Sequence, residues 1–190
     1  MTIFTRRGDS GDTSLADGTR VSKAALRVEA FGAVDEANSI VGLARGVAKD
    51  AEIGDVLRFA QHRLLNCTSS LAMPDASTRP AGTSRIVADD VAALEAAISR
   101  FEQRTPKLTG FIVEGGSETA CRLHAARAVT RRAERRVVAL HAESPVDPNI
   151  LAFINRLSDT LFAAARLANT LDGAPEEPWD PETSRPEAEA

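Results

Sequence analysis

The sequence predicts an all-α fold, a five-helix antiparallel bundle followed by a disordered acidic C-terminal tail. Three observations carry this. The 190 residues include 33 alanines, only 4% aromatics, no Tyr and one Trp, a composition that favours helix over sheet. Five segments of fifteen to twenty-five residues place apolar side chains at helical spacing and are joined by short connections, the pattern of an antiparallel bundle. No segment alternates convincingly as a strand, and no internal repeat is present.

The elements follow in order. Residues 5–22, TRRGDSGDTSLADGTRVS, are rich in Gly, Asp, Ser and Thr without periodicity and read as a loop. A first helix spans about Lys23 to Val47, with Val28, Phe31, Val34, Ile40, Val41 and Leu43 near helical spacing. A second covers about Ile53 to Met73, with Val56, Phe59, Leu64, Leu65 and Leu71 as its core face. Residues 74–84, PDASTRPAGTS, read as an exposed loop. The third helix covers about Asp89 to Gln103, with Asp90 near its positive N-terminal end. After the glycine-containing break TPKLTGFIVEGGS come a fourth helix, about Glu118 to Ala142, and a fifth, about Asn149 to Asp172. Four prolines, Pro175, Pro178, Pro181 and Pro186, forbid helix beyond that point.

This gives one domain at 1–172, divided into an N-terminal loop (1–22) and a helical body (about 23–172), and a Pro- and acid-rich tail at 173–190. The formal net charge of -4 hides an asymmetry. Asp172 to Ala190 sums to -6, so the body before it is slightly basic at +2. Cys67 and Cys121 lack metal-site or disulfide spacing. The N-terminus has no signal-like apolar region and no apolar run could span a bilayer, so a cytoplasmic protein without membrane association is expected.

Chemistry concentrates in Cys121 to Arg136, CRLHAARAVTRRAERR, where six arginines and one glutamate give a local charge of +5. On a helical wheel Arg127, Arg131 and Glu134 share a face opposite the Ala126/Val129/Val137 stripe, with Arg135 and His124 at its edge. Clustered guanidiniums repel unless an anion or acids from elsewhere neutralise them, and arginine's planar fork suits phosphate. A polyphosphate ligand and a salt-bridged, solvated face both fit this pattern.

The loop at 5–15 offers Gly8 and Gly11 with hydroxyls at Thr5, Ser10, Thr13 and Ser14, but it is not a Walker A sequence. Lys23, one of three lysines, follows it. Asn155 and Asp159 share a face of the fifth helix, and Arg166 and Asn169 lie further along; such polar residues are by default helix–helix hydrogen bonders. No Glu-x-x-His pair, GxSxG or GxGxxG occurs, which sets aside di-iron, hydrolase and dinucleotide-binding sites. A nucleic-acid role lacks interleaved aromatics and a basic overall charge.

Four blocks in order, TRRGDSGDTSL (5–15), RVEAFGAVDEANSIVG (27–42), FIVEGGSETACRLHAARAVTRRAERRVVAL (111–140) and NRLSDTLFAAARLAN (155–169), resemble the PduO-type ATP:cob(I)alamin adenosyltransferases. The resemblance implies a five-helix bundle assembling as a homotrimer with ATP at each subunit interface. It implies transfer of the 5'-deoxyadenosyl group of ATP to cob(I)alamin, giving adenosylcobalamin and triphosphate. Mg2+ is then bound mainly through the ATP phosphates, with Glu134 a candidate contact. A cobalamin reductase and an adenosylcobalamin-dependent mutase are the implied partners. The alternative within the family is an ATP-regulated adenosylcobalamin carrier.

By the same resemblance, Thr5, Arg6, Arg7, Gly8, Thr13, Ser14, Lys23, Arg131, Arg132, Glu134, Arg135 and Asn155 are expected to bind ATP. Phe111, Arg127, Arg131 and Asp35 are the expected catalytic residues. Arg127 would pair across the interface with Asp35, and Phe111 would lie against the lower face of the corrin and help displace its lower axial ligand. Two departures stand out. The family usually reads Pro-Gly-Gly after Phe-Ile-Leu, whereas Glu114 precedes Gly115 and Gly116 here. Positions 6 and 7 are both arginine where one basic residue followed by a small polar one is typical.

Overall fold

A computed structural model describes residues 4, 6–74 and 85–185. Thr5, most of the expected loop at 74–84, and the end of the tail lie outside the described residues. Five α-helices are described: α1 (Leu26–Arg45), α2 (Ala51–Leu71), α3 (Ala88–Gln103), α4 (Glu118–Glu143) and α5 (Pro148–Asp172). Four short strands accompany them: β1 (Asp12–Ser14), β2 (Arg20–Ser22), β3 (Ile112–Val113) and β4 (Glu177–Pro178).

Local chemistry sets the helix ends. Asp50 caps α2 by accepting from the Ile53 N–H at 3.0 Å, and Ser117 caps α4 by accepting from Ala120. Asp90 in the first turn of α3 accepts from the Val87 N–H at 3.0 Å. Pro148 opens α5, where its missing N–H costs nothing, and Gly173 closes it in the left-handed conformation with φ 65°.

Packing runs in the order α2, α1, α4, α5, α3, with α2 also touching α3 and α5. Alanines let these helices approach closely. Ala30, Ala33, Ala37 and Ala44 of α1 are buried alongside Val34 and Val41, facing Ala120, Ala126 and Ala133 of α4 within one continuous core. The largest fully buried side chains of that core include Phe101, Phe153, Leu157 and Leu161. Most of α5 is covered, from Ile150 through Asn169. Truncating Leu157, which is fully buried, is expected to cost about 2–5 kcal/mol.

The bundle agrees with expectation, while the strands do not appear in the sequence reading. Each is two or three residues long, too short to display alternation. β1 and β2 form an antiparallel ribbon within the N-terminal loop, with Thr13 opposite Val21. β3 pairs with β4 antiparallel, Ile112 opposite Pro178 and Val113 opposite Glu177. The expected disorder after Asp172 therefore does not hold for the first part of the tail. Gly173 turns the chain back, and prolines that forbid helix still permit a strand at the edge of a ribbon.

Candidate active site

Two concave regions flank α4. The larger, about 940 Å3, lies between the end of α3, the loop 105–114, α4 and α5; its lining includes Phe111, Glu114, Arg127, Arg131, Phe162 and Arg166. That volume is near the upper end for small-molecule sites. The smaller, about 430 Å3, lies between α1 and α4 and is lined by Lys23, Glu29, Glu36, Arg132 and Arg136 with Gly32 and neighbouring apolar residues. The two share no lining residue, because successive positions on α4 point about 100° apart.

The N-terminal ribbon leads into Lys23, which lines the small pocket. The turn before β1 needs glycine at Gly11, whose φ is 92°, and Arg6 takes the left-handed conformation with φ 61°. Lys23 follows β2; its N–H donates to the Gly11 carbonyl and its Nζ donates to the Gly8 carbonyl, both at 2.8 Å. Arg20 likewise donates to the Arg7 carbonyl at 3.0 Å. Thr13 is half-buried and Ser14 exposed on β1. Across the pocket Arg132 pairs with Glu36, and Arg136 with Glu29 at 3.1 Å. Bases and acids alternate here, so an incoming polyanion would have to exchange partners with Glu29 and Glu36.

The large cleft presents an aromatic plate. Phe111 is 81% exposed, and its ring meets Trp179 edge-on at 6.2 Å. The Trp179 N–H donates to the Phe111 carbonyl at 2.9 Å. The loop beneath it is clamped by two α5 side chains. Arg166 donates to the Pro106 carbonyl at 2.8 Å and to both carboxylate oxygens of Glu176. Asn169 accepts from the Ser117 N–H at 2.9 Å and donates to the Gly115 carbonyl at 3.0 Å.

Arg127 donates to Glu114 at 2.6 Å, lies 5.8 Å over the Phe162 ring, and leaves its buried Nε without a partner among the described residues. His124, one turn earlier, is only 5% exposed and edge-on to Phe162, with neither ring nitrogen partnered. Burial, and next the nearby Arg127 charge, hold its pKa below the ordinary imidazole value.

The expected site residues are thus divided within the chain. Gly8 and Lys23 adjoin Arg132; Arg127, Arg131 and Phe111 share the large cleft. Glu134 and Asn155 line neither pocket and join α4 to α5, Asn155 donating to Glu134 at 2.8 Å. Arg135 is exposed and donates to the Arg131 carbonyl. Asp35 is exposed on α1 and forms no ion pair with a described residue; Arg127 pairs with Glu114 of the same chain. Among the described residues no group of three metal-ligating side chains occurs and no helix is long and apolar enough to cross a membrane.

Sequence reasoning missed the loop clamps. Arg166 and Asn169 stood out as polar residues on a core helix, but they hold a loop rather than another helix. Trp179, the lone tryptophan, fell in a segment read as disordered. His124 carried a weak signal at the edge of the arginine face.

Residues 3–168 match the family model described as cobalamin adenosyltransferase. A corrinoid adenosyltransferase of Bacillus subtilis is 40% identical over 177 residues, which cover 91% of this chain and 89% of the relative. Corrinoid adenosyltransferase PduO of Citrobacter freundii is 45% identical over 167 residues, 87% of this chain and 49% of the relative. The chain therefore spans about half the length of that protein. Among solved structures, a phenylalanine-to-alanine variant of the PduO-type ATP:corrinoid adenosyltransferase from Lactobacillus reuteri, complexed with cobalamin and ATP, superposes with a TM-score of 0.87 at 36% identity, covering 94% of this chain and 99% of that one.

Proposed function

Because the chain belongs to the cobalamin adenosyltransferase family, we propose that it transfers the 5'-deoxyadenosyl group of ATP to cob(I)alamin, forming adenosylcobalamin and releasing triphosphate. The observation that carries this reading is the exposed Phe111 ring at a cleft of about 940 Å3 that also presents Arg127 and Arg131. A flat apolar plate suits the face of a macrocycle, and excluding a donor from that face favours cobalt(I), whose filled axial orbital repels one.

In the transfer, the cobalt electron pair forms the bond to the 5'-carbon while the carbon–oxygen bond breaks and its electrons leave with triphosphate. No proton is moved, so no general base is required. The chain's task is to hold donor and acceptor in line and to stabilise the charge on the leaving group. Lys23, Arg132 and the backbone around Gly8 form one basic group for phosphates; Arg131, Arg135, Glu134 and Asn155 form another. Thr5, Arg6, Arg7, Thr13 and Ser14 complete the loop side. Mg2+ would arrive with the ATP phosphates and screen their charge, with Glu134 the candidate protein contact.

The separation of these groups on one protomer supports an ATP site completed by a neighbouring copy, the N-terminal loop facing the α4–α5 residues of the next subunit in a homotrimer. The exposed Asp35 then has a partner available in Arg127 of that neighbour. We take residues 1–172 as the catalytic unit and 173–190 as its appended tail, and place the reaction in the cytoplasm. A one-electron reductase must supply cob(I)alamin, and an adenosylcobalamin-dependent mutase would consume the product.

The test is to incubate the purified protein with ATP, Mg2+ and chemically reduced cobalamin under anaerobic conditions and follow the visible spectrum. Appearance of the light-sensitive cobalt–carbon chromophore supports the reading. An unchanged spectrum at protein concentrations that bind ATP overturns it.

A further inference from the structure

The segment 106–117 carries Phe111 into the large cleft; besides the β3–β4 pairing, side chains fasten it at three places. Arg166 holds the Pro106 carbonyl at 2.8 Å, and Asn169 holds Gly115 and Ser117 at 3.0 and 2.9 Å. These two clamps act on backbone. The third joins side chains, Glu114 accepting from Arg127 Nη2 at 2.6 Å. Glu114 is separated from Phe111 only by β3, so this contact fixes the plate and the cleft arginine relative to each other. Within the single chain, among the described residues, Arg127 is otherwise held only by Phe162, and its buried Nε is unpartnered.

We propose that Glu114 is a positioning residue of the corrinoid cleft: its carboxylate sets the direction of the Arg127 guanidinium and ties it to the strand that presents Phe111. This rests on the adenosyl-transfer reading. A proline at this position would stiffen the loop through its backbone but accept nothing from Arg127, so in this chain an ion pair performs the coupling. Glu114 also offsets one positive charge in a cleft lined by Lys107, Arg127, Arg131 and Arg166, of which Arg166 already has Glu176. Arg127 is 24% exposed and Glu114 55%, so the pair adds little to folding and its effect falls on the cleft.

The test uses the whole 190-residue chain and two readouts. Steady-state kinetics of Glu114→Gln should raise the KM for cob(I)alamin by about two- to fivefold, the scale of one partly exposed ion pair, with the KM for ATP unchanged. Glu114→Asp, which keeps the charge, should recover part of the loss. Independently of turnover, Trp179 lies against Phe111 immediately after the strand paired to β3 and is the only tryptophan; its fluorescence should become more accessible to acrylamide in Glu114→Gln than in the wild type. Wild-type corrinoid KM together with wild-type quenching overturns the proposal, as does an equal rise in both KM values. A wild-type protein without turnover defeats the adenosyl-transfer reading instead, while the quenching comparison still decides whether Glu114 fixes the loop.

Discussion

Arg166 grips Glu176 through two hydrogen bonds, Nε at 2.8 Å and Nη2 at 2.9 Å, while the same Nη2 reaches the Pro106 carbonyl. One cation on α5, its side chain only 8% exposed, thereby joins the loop below Phe111 to the chain that returns after the last helix. Replacing Glu176 by alanine leaves that charge desolvated without its anion. The expected loss is about 1–3 kcal/mol, read as a lower urea midpoint. An unchanged midpoint would mean that the paired geometry contributes nothing to stability.

Gly116 should tolerate no side chain. Its φ is 108°, and an added Cβ would collide with the Asn169 carboxamide. Gly116→Ala therefore combines backbone strain with loss of the clamp on Gly115 and Ser117, for about 1–3 kcal/mol. Asn169→Ala removes the clamp without the strain and should melt between the wild type and Gly116→Ala. If both variants melt with the wild type, the clamp is not a stabilising contact.

His124 should make the fold sensitive to mild acid. Burial, and then Arg127, hold its folded pKa below the ordinary 6.5, so the unfolded chain binds the proton more tightly. The linked stability is fully present above about pH 6.5 and is lost as pH falls from there through the lowered folded value. Thermal melts between pH 7.5 and 5.5 should show a drop that is smaller in His124→Leu. Identical drops in the two proteins would assign the acid sensitivity to other groups.

Lys23→Met should weaken ATP binding with little effect on folding, because among the described residues the exposed Lys23 ammonium hydrogen-bonds only the Gly8 carbonyl. Loss of one charge-assisted phosphate contact corresponds to about tenfold in affinity, measurable by calorimetry. Equal affinities would move the triphosphate away from the N-terminal ribbon.

How far the sequence reveals this site differs by element. The five helices were legible because their period is local and repeated. Their core faces were read less well: Leu43 and Leu65, expected inside, are exposed, and Ala30, Ala37 and Ala60 are buried instead. Apolar size misleads in an alanine-rich bundle, where close helix approach buries small residues. The arginines of α4 announced an anion, but their division between two pockets depends on what α1 and α5 place opposite them. The Glu114–Arg127 and Arg166–Glu176 pairs join a helix to irregular chain, and no periodicity marks such partners.

The proposed reaction is a carbon-to-cobalt transfer with triphosphate as leaving group. Quantifying both products of a single turnover tests it most directly, with enzyme in excess over cob(I)alamin in the presence of ATP and Mg2+. Adenosylcobalamin and triphosphate should form in equal amounts, with both diminished together in Phe111→Ala. Retention of intact ATP beside unmodified cobalamin, or release of ADP and phosphate without a cobalt–carbon bond, would contradict it and leave a nucleotide-regulated carrier of the cofactor.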